Sequence, residues 1–495
     1  MAASSLFVRK SLTSLQAEAN RGALARTLGA RELTALGVGS VIGTGTGIFV
    51  FTGVAASQHA GPALVLSMLI SASACALAGL CYAEFAAMVP VAGSAYTYAY
   101  ATVGEIFAWI IGWDLVLEYA LSTATVAVGW SGYFMSFLRE LGLSMPPQLA
   151  AAPGTTVTLA DGTITQGIVN LPAMMIVAAV ALLLIRGIRQ SATVNTLLVV
   201  LKVIVLLVFV AVGVQYVRAE NLTPFIPDNT GTFGAFGISG ILRGAGVMFF
   251  AYVGFDSVST AAQEARNPQR DMPIGMLASL AICTVIYIAV ALVLTGIVPY
   301  GKLNVPDPLA VGIDATGVRW LSPFIKISAL FGFFSTMIVT MLGQTRVFYS
   351  MSRDGLLPGL FSRVHPRFRT PHLSTAIVAV VIAAVAGFTP ITMLGELTSI
   401  GTLLAFVLVS IGVLVLRKRS PDVARPFRTP LVPWIPLGAV AACLLQMVSL
   451  PFATWVRLGV WLALGFVVYF AYGRTRAAGV RAAGARATPL TPVTP

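Results

Sequence analysis

Gly37 to Gly53 reads GVGSVIGTGTGIFVFTG, six glycines and three threonines inside a run otherwise long and apolar enough to be a membrane-spanning helix. Glycine interrupts a helix at little steric cost, and threonine supplies short hydroxyls. In hydrocarbon an opened backbone survives only where it is buried in protein or lines a cavity, so a broken helix at membrane depth marks a ligand site. The same small residues also suit close helix packing. The stretch by itself leaves both readings open.

The rest of the composition agrees with a membrane setting. Of 495 residues 57% are hydrophobic and 10% charged, against roughly 25% charged in soluble globular proteins. Apolar runs of about 18 residues or more recur along the chain, each able to cross a hydrocarbon core of roughly 30 Å. Twelve spans are expected, at about 31–56, 62–88, 104–138, 168–185, 191–215, 238–264, 274–297, 319–350, 374–388, 392–416, 433–450 and 453–473. The net charge of +13 does not point to nucleic acid, because the basic residues alternate with the spans. Clusters such as Arg9/Lys10, Arg363/Arg367 and Arg417/Lys418/Arg419 fall on one side of the membrane if both termini are cytoplasmic, as positive-inside retention requires. The first thirty residues lack a cleavable signal. The segment 139–167 is expected to form a surface hairpin, and the Ala/Arg/Thr/Pro-rich tail 474–495 to be disordered.

A second interruption answers the first. Gly246 to Asp256, GVMFFAYVGFD, places a glycine after an aromatic stretch and an acid at membrane depth. If residues 31–215 and 238–416 are two five-helix repeats, followed by two further helices over 433–473, the first and sixth helices are equivalent, and both carry breaks. Paired interruptions in equivalent helices point to a substrate site at a repeat interface. A half-helix starting near Gly43–Gly47 offers backbone N–H groups to a carboxylate, while a break in the sixth exposes carbonyls of Phe250, Ala251 and Val253 that suit an ammonium. An anion cradle beside a cation cradle describes a zwitterion, so an amino acid is the natural substrate. Phe250 is also placed to close over it as a gate.

Four ionisable residues are singled out within spans, where charge is costly unless paired or wetted: Glu84, Glu118, Lys202 and Asp256. Lys202, in NTLLVVLKVIVLLVFV, has no acid on its own helix and is a candidate proton-exchanging group, with Glu118 and Asp256 as a carboxylate pair that shares a proton or braces the sixth helix. Glu84, near the inner end of the second span, is expected to brace. Cys75, Cys81, Cys283 and Cys443 sit in apolar runs as small hydrophobes. His59, His365 and His372 are scattered across loops. Neither a metal site, a cofactor site nor a catalytic triad has material here.

On these motifs, together with YAEFAAMVPVAGSAYTYAY, GWDLVLEY, FFAYVGFDSVSTAAQEARNPQRDMPIGM, GQTRVFYSMSRDGLLP and ARPFRTPLVPWIP, the chain resembles the amino acid-polyamine-organocation transporters. The similarity is closer to the cationic amino acid transporter family and its bacterial permeases. The resemblance implies an all-α, LeuT-like fold of two inverted five-helix repeats with discontinuous helices 1 and 6. It also implies a substrate site at Ile42, Gly43, Thr44, Gly45, Thr46, Gly47, Phe250, Ala251 and Val253, and proton coupling in which Lys202 stands where sodium-coupled members bind the ion. The family pattern IIGxGIF is here VIGTGTGIF, two residues longer. Two residues turn a helix by about 200°, so the unwound segment is expected to absorb them, and which of Thr44-Gly45 and Thr46-Gly47 contacts substrate stays open. The reading is a plasma-membrane secondary amino acid transporter driven by protons, with an exchanger, a polyamine carrier or a non-transporting sensor as rivals. Its expected partners are the amino acid, protons and the lipid bilayer.

Overall fold

The computed structural model describes residues 8, 28–43, 47–88, 96, 99–100, 104–159, 162–187, 192–318, 320–368, 370–419 and 421–487. They are mostly helical. In chain order the α-helices are α1 (Ala30–Gly43), α2 (Thr52–Ala55), α3 (Leu64–Met88), α4 (Glu105–Glu140), α5 (Leu171–Ile185), α6 (Ala192–Gly213), α7 (Gly237–Met248) and α8 (Pro268–Ile297). They continue with α9 (Pro308–Asp314), α10 (Leu321–Arg353), α11 (His372–Phe388), α12 (Ile391–Arg419), α13 (Trp434–Ser449), α14 (Phe452–Val468) and α15 (Arg474–Ala487). A helix falls in each of the twelve ranges expected from the sequence. Seven helical runs are long and apolar enough to cross a membrane, and four shorter apolar helices accompany them. The protein is a multi-pass membrane protein.

The sorting of side chains shows the same solvent. Met175, Leu182, Val200, Ile204, Val285, Phe331, Val339 and Val380 are exposed on helix surfaces, as a lipid-facing band requires, whereas buried serines and threonines sit between helices. Several of these hydroxyls fasten helix to helix. Ser67 and Ser71 of α3, one turn apart, donate to the carbonyls of Ile241 and Ala245 of α7 at 2.7 and 2.8 Å, which holds the first half of the sixth span on the second. At the other end of the chain, α14 docks on α4 through stacked Trp113 and Trp461, 4.6 Å apart. Each of these indoles donates to the other's backbone carbonyl, at 2.9 and 3.1 Å.

The expected hairpin is present as antiparallel β1 (Thr156–Thr158) and β2 (Ile164–Gln166), with Val157 opposite Thr165. Two expectations are corrected. The tail is helical through Ala487: its alanines and arginines favour helix, and Ala477 is fully buried where Gly355, at φ 80°, leaves room for α15. Nor are the histidines all in loops. His59 lies in a π-helical segment, Ala56–Ala60, with its Nδ1 2.8 Å from the Gly234 carbonyl oxygen, and His372 opens α11 with its ring 4.8 Å from that of His365.

Candidate functional site

The first span ends as an α-helix at Gly43 and is helical again from Gly47, now as a π-helix over Gly47–Phe51. Thr44, Gly45 and Thr46 lie outside the described residues. A second π segment follows at Ala56–Ala60. Each π turn closes on i→i+5 rather than i→i+4 and so takes in one residue more than an α turn. The sixth span is interrupted outright. After α7 the chain tightens to 3-10 geometry over Phe249–Tyr252, turns extended at Val253 and left-handed at Gly254 (φ 110°), and resumes as a 3-10 helix over Phe255–Glu264.

The first span on either side of residues 44–46 touches the sixth-span break. A Cβ on Gly47 would strike the Cα and Cβ of Ala251, and one on Gly254 would come 3.0 Å from the Ser40 carbonyl oxygen. Only glycine allows either approach. Two tyrosines reach in to backbone carbonyls of the first span here. Tyr287 of α8 donates to the Val41 carbonyl at 3.2 Å, and Tyr133 of α4 donates to the Phe49 carbonyl at 2.9 Å. Sequence reading missed both tyrosines, since nothing local to either marks a partner more than eighty residues away. On the other side the Phe250 carbonyl already accepts the Val253 N–H at 3.2 Å, leaving one lone pair for a ligand.

Val41, Ile42, Gly47, Phe250, Ala251 and Val253 are all buried. Phe250 packs its ring 5.1 Å from Phe51, whose own ring lies where Gly395 of α12 has no side chain. Phe49, Tyr133 and Phe333 form an edge-to-face trio beside it, with centroids 5.6 to 6.0 Å apart. The surroundings of the two breaks are thus aromatic and small.

The ionisable residues fall into distinct settings. Lys202 is 2% exposed although Val200 and Ile204, two positions either side, face lipid. Its Nζ is 3.4 Å from the Thr336 hydroxyl of α10, and its stem lies against Gly332, where any Cβ would collide with it. Glu118 stands beside Thr402 of α12 and within Coulombic reach of Asp256 and Asp114. Asp114 is one turn from Glu118 on α4, fully buried, and neither carboxylate oxygen has a hydrogen-bond partner among the described residues. The structure therefore leaves Glu118 and Asp256 within Coulombic reach of each other and places Lys202 in a different seam, between α6 and α10.

Glu84 is unlike them. Arg417 donates to both its oxygens at 3.1 and 2.8 Å, the Thr429 N–H donates at 2.7 Å, and Arg425 forms an ion pair at 3.4 Å. It braces α3 against the chain following α12. More ionisable residues than those four lie inside the expected ranges, among them Glu105, Asp114, Arg243, Glu264, Lys326, Arg346, Glu396 and Arg457. Asp114 had a readable signal in GWDLVLEY, an acid four residues before Glu118 and hence on the same helical face.

Against this geometry stand the relatives. Residues 28–470 match the model of a family described as amino acid permease. A methylthioribose transporter of Bacillus subtilis is 45% identical over 95% of this chain and 98% of its own length. A branched-chain amino acid permease of the same organism is 46% identical over 95% and 98%, and a vacuolar cationic amino acid transporter of Arabidopsis thaliana is 38% identical over 84% and 68%. The chain belongs to the amino acid permease family. It is an amino acid permease, a transporter by family rather than an enzyme.

Proposed function

We propose that this permease is a proton-driven carrier of neutral, apolar amino acids working by alternating access across the plasma membrane, with both termini cytoplasmic. In this reading residues 31–215 and 238–416 are inverted five-helix repeats, and the helices over 433–473 are additions outside them. The observation that supports it most is the contact between the interrupted sixth span and the first, Gly47 on Ala251 and Gly254 on Ser40. It sets peptide groups of the two spans side by side at a site that can hold both ends of a zwitterion. The substrate carboxylate meets the backbone between Ile42 and Gly47, including Thr44, Gly45 and Thr46, and the ammonium meets carbonyls among Phe250, Ala251 and Val253. Phe250 closes over the bound solute with Phe51.

An apolar side chain is favoured by the rings of Phe49, Phe51, Tyr133, Phe250 and Phe333 around the breaks and by the branched-chain permease relative. Glu118 and Asp256 share the coupling proton, and Lys202 takes the place of a bound sodium ion. A second reading, uptake of a thiosugar, is favoured by the methylthioribose transporter relative; such a solute lacks the zwitterion and would leave the paired cradles unused.

Purified protein in liposomes with an inwardly acid-driven pH gradient and labelled isoleucine, lysine and methylthioribose separates these. Concentrative isoleucine uptake without sodium, abolished by a protonophore and by Lys202→Ala, is the expected result. Sodium dependence with an indifferent Lys202 overturns the coupling, and uptake of methylthioribose alone overturns the substrate class.

A further inference from the structure

At the end of the bundle away from α15, one layer beyond the Phe51–Phe250 lid, two charged side chains lie across the line between the sixth span and α12. Arg243 projects from α7 and Glu396 from the second turn of α12, the residue after the Gly395 on which the Phe51 ring rests. Their nearest charged atoms are 3.9 Å apart, and both side chains are about five-sixths buried, at 15% and 16% exposure. The contact is loose beside the bidentate grip of Arg417 on Glu84 at 2.8 and 3.1 Å. Arg243 Nε is buried with no hydrogen-bond partner among the described residues.

Each member also has a second, shorter tie. Arg243 Nη1 donates to the Ser449 carbonyl at 2.7 Å, and Thr454 donates to the other Glu396 oxygen at 2.8 Å. Ser449 also donates to the Leu242 carbonyl on α7 at 3.0 Å. The end of α13 is thus bonded to the sixth span and the start of α14 to α12, with only the corner Leu450–Pro451 between them. A bracing ion pair is tight, as Arg417 on Glu84 is. A pair that is loose, incompletely satisfied and backed on both sides by alternative partners is built to part at low cost.

We propose that Arg243 and Glu396 are the outer gate latch of this permease: their contact holds the aromatic lid shut against α12, and it opens and recloses once in every transport cycle, with the α13–α14 corner retaining each residue while they are apart. The proposal rests on the alternating-access reading and its orientation. Loss of this pair shifts the ratio of open to closed states by about five-fold.

The test reads distance rather than flux. Spin labels at Phe233→Cys and Phe388→Cys, both exposed in the structure, are introduced with the four native cysteines replaced, and pulsed electron resonance gives the separation of the outer ends. Arg243→Gln and Glu396→Gln are each expected to add a longer-distance component. Arg243→Lys, which keeps the charge, and the exchanged pair R243E/E396R are expected to restore the short one. Distance distributions unchanged in both neutral variants overturn the latch, as does a long component that the exchanged pair fails to reverse. If a variant misfolds, raising salt on the unmodified gate is the second measurement, with growth of the long component expected and constancy contradicting it. Absence of flux for every solute would sink the transport reading while leaving these distances to be judged separately.

Discussion

Glu84 and Glu118 are both glutamates buried within spans, at 1% and 5% exposure, and the chain treats them oppositely. Around Glu84 two guanidinium groups and a backbone N–H converge. Around Glu118 stand a threonine and two further acids, Asp114 and Asp256, and Glu118 forms no ion pair among the described residues. A carboxylate with a complete set of donors is part of the scaffold, because removing it leaves arginines without compensation. One gathered with other carboxylates at membrane depth has no such compensation and costs stability; the proposed function gives it a proton to share. Inventory of partners, rather than burial, divides structure from function here.

The sharpest way to break that division is to remove both residues in parallel. Glu84→Ala leaves Arg417 and Arg425 unpaired and is expected to lower stability by about 3–5 kcal/mol, read as thermal unfolding in detergent. Glu118→Gln relieves like-charge repulsion, so its unfolding temperature is expected to hold or rise while pH-driven accumulation is lost. Equal destabilisation by the two substitutions would erase the distinction.

A smaller effect tests the lysine seam. Gly332→Ala puts a methyl group into the Lys202 stem, and such overpacking costs typically about 1–3 kcal/mol. The Lys202 side chain must then shift from Thr336, so the pH optimum of uptake is expected to move in Gly332→Ala and to stay put in Gly343→Ala, a substitution on the same helix whose nearest neighbour is the ring of Tyr119 on α4.

The smallest effect lies in the segment between α8 and α10, where burial pushes the Asp307 carboxyl above its ordinary range. A group whose folded pKa is raised contributes stability that is complete below the unfolded value and lost as pH rises through the folded one. Asp307→Asn is therefore expected to remove a shallow decline in unfolding temperature from acid toward neutral pH. An unaltered slope would show that Arg139, 4.0 Å away, fully offsets the burial.

Much of this arrangement was legible in the chain because membrane helices announce themselves by length and composition, and glycine at depth announces a break. The sixth-span break, the brace at Glu84 and the buried cysteines follow from such local signals. What escaped depended on partners remote in sequence. Tyr133 and Tyr287 meet the first span's carbonyls only after folding, and nothing near Arg243 in the sequence marks Glu396 as its partner. The tail was misread because a composition poor in large apolar residues resembles disorder unless one knows that Gly355 leaves a seat for Ala477. The π segments were hidden for a related reason, since a change in turn geometry leaves no mark on hydrophobic periodicity this short.

The central claim is that the interrupted first and sixth spans hold the solute between them. Electron cryomicroscopy of the permease with bound isoleucine tests it most directly. The account predicts the carboxylate within hydrogen-bond reach of backbone N–H groups between Ile42 and Gly47 and the ammonium on carbonyls among Phe250, Ala251 and Val253. Isoleucine found elsewhere, with both of those backbone stretches untouched, would contradict it.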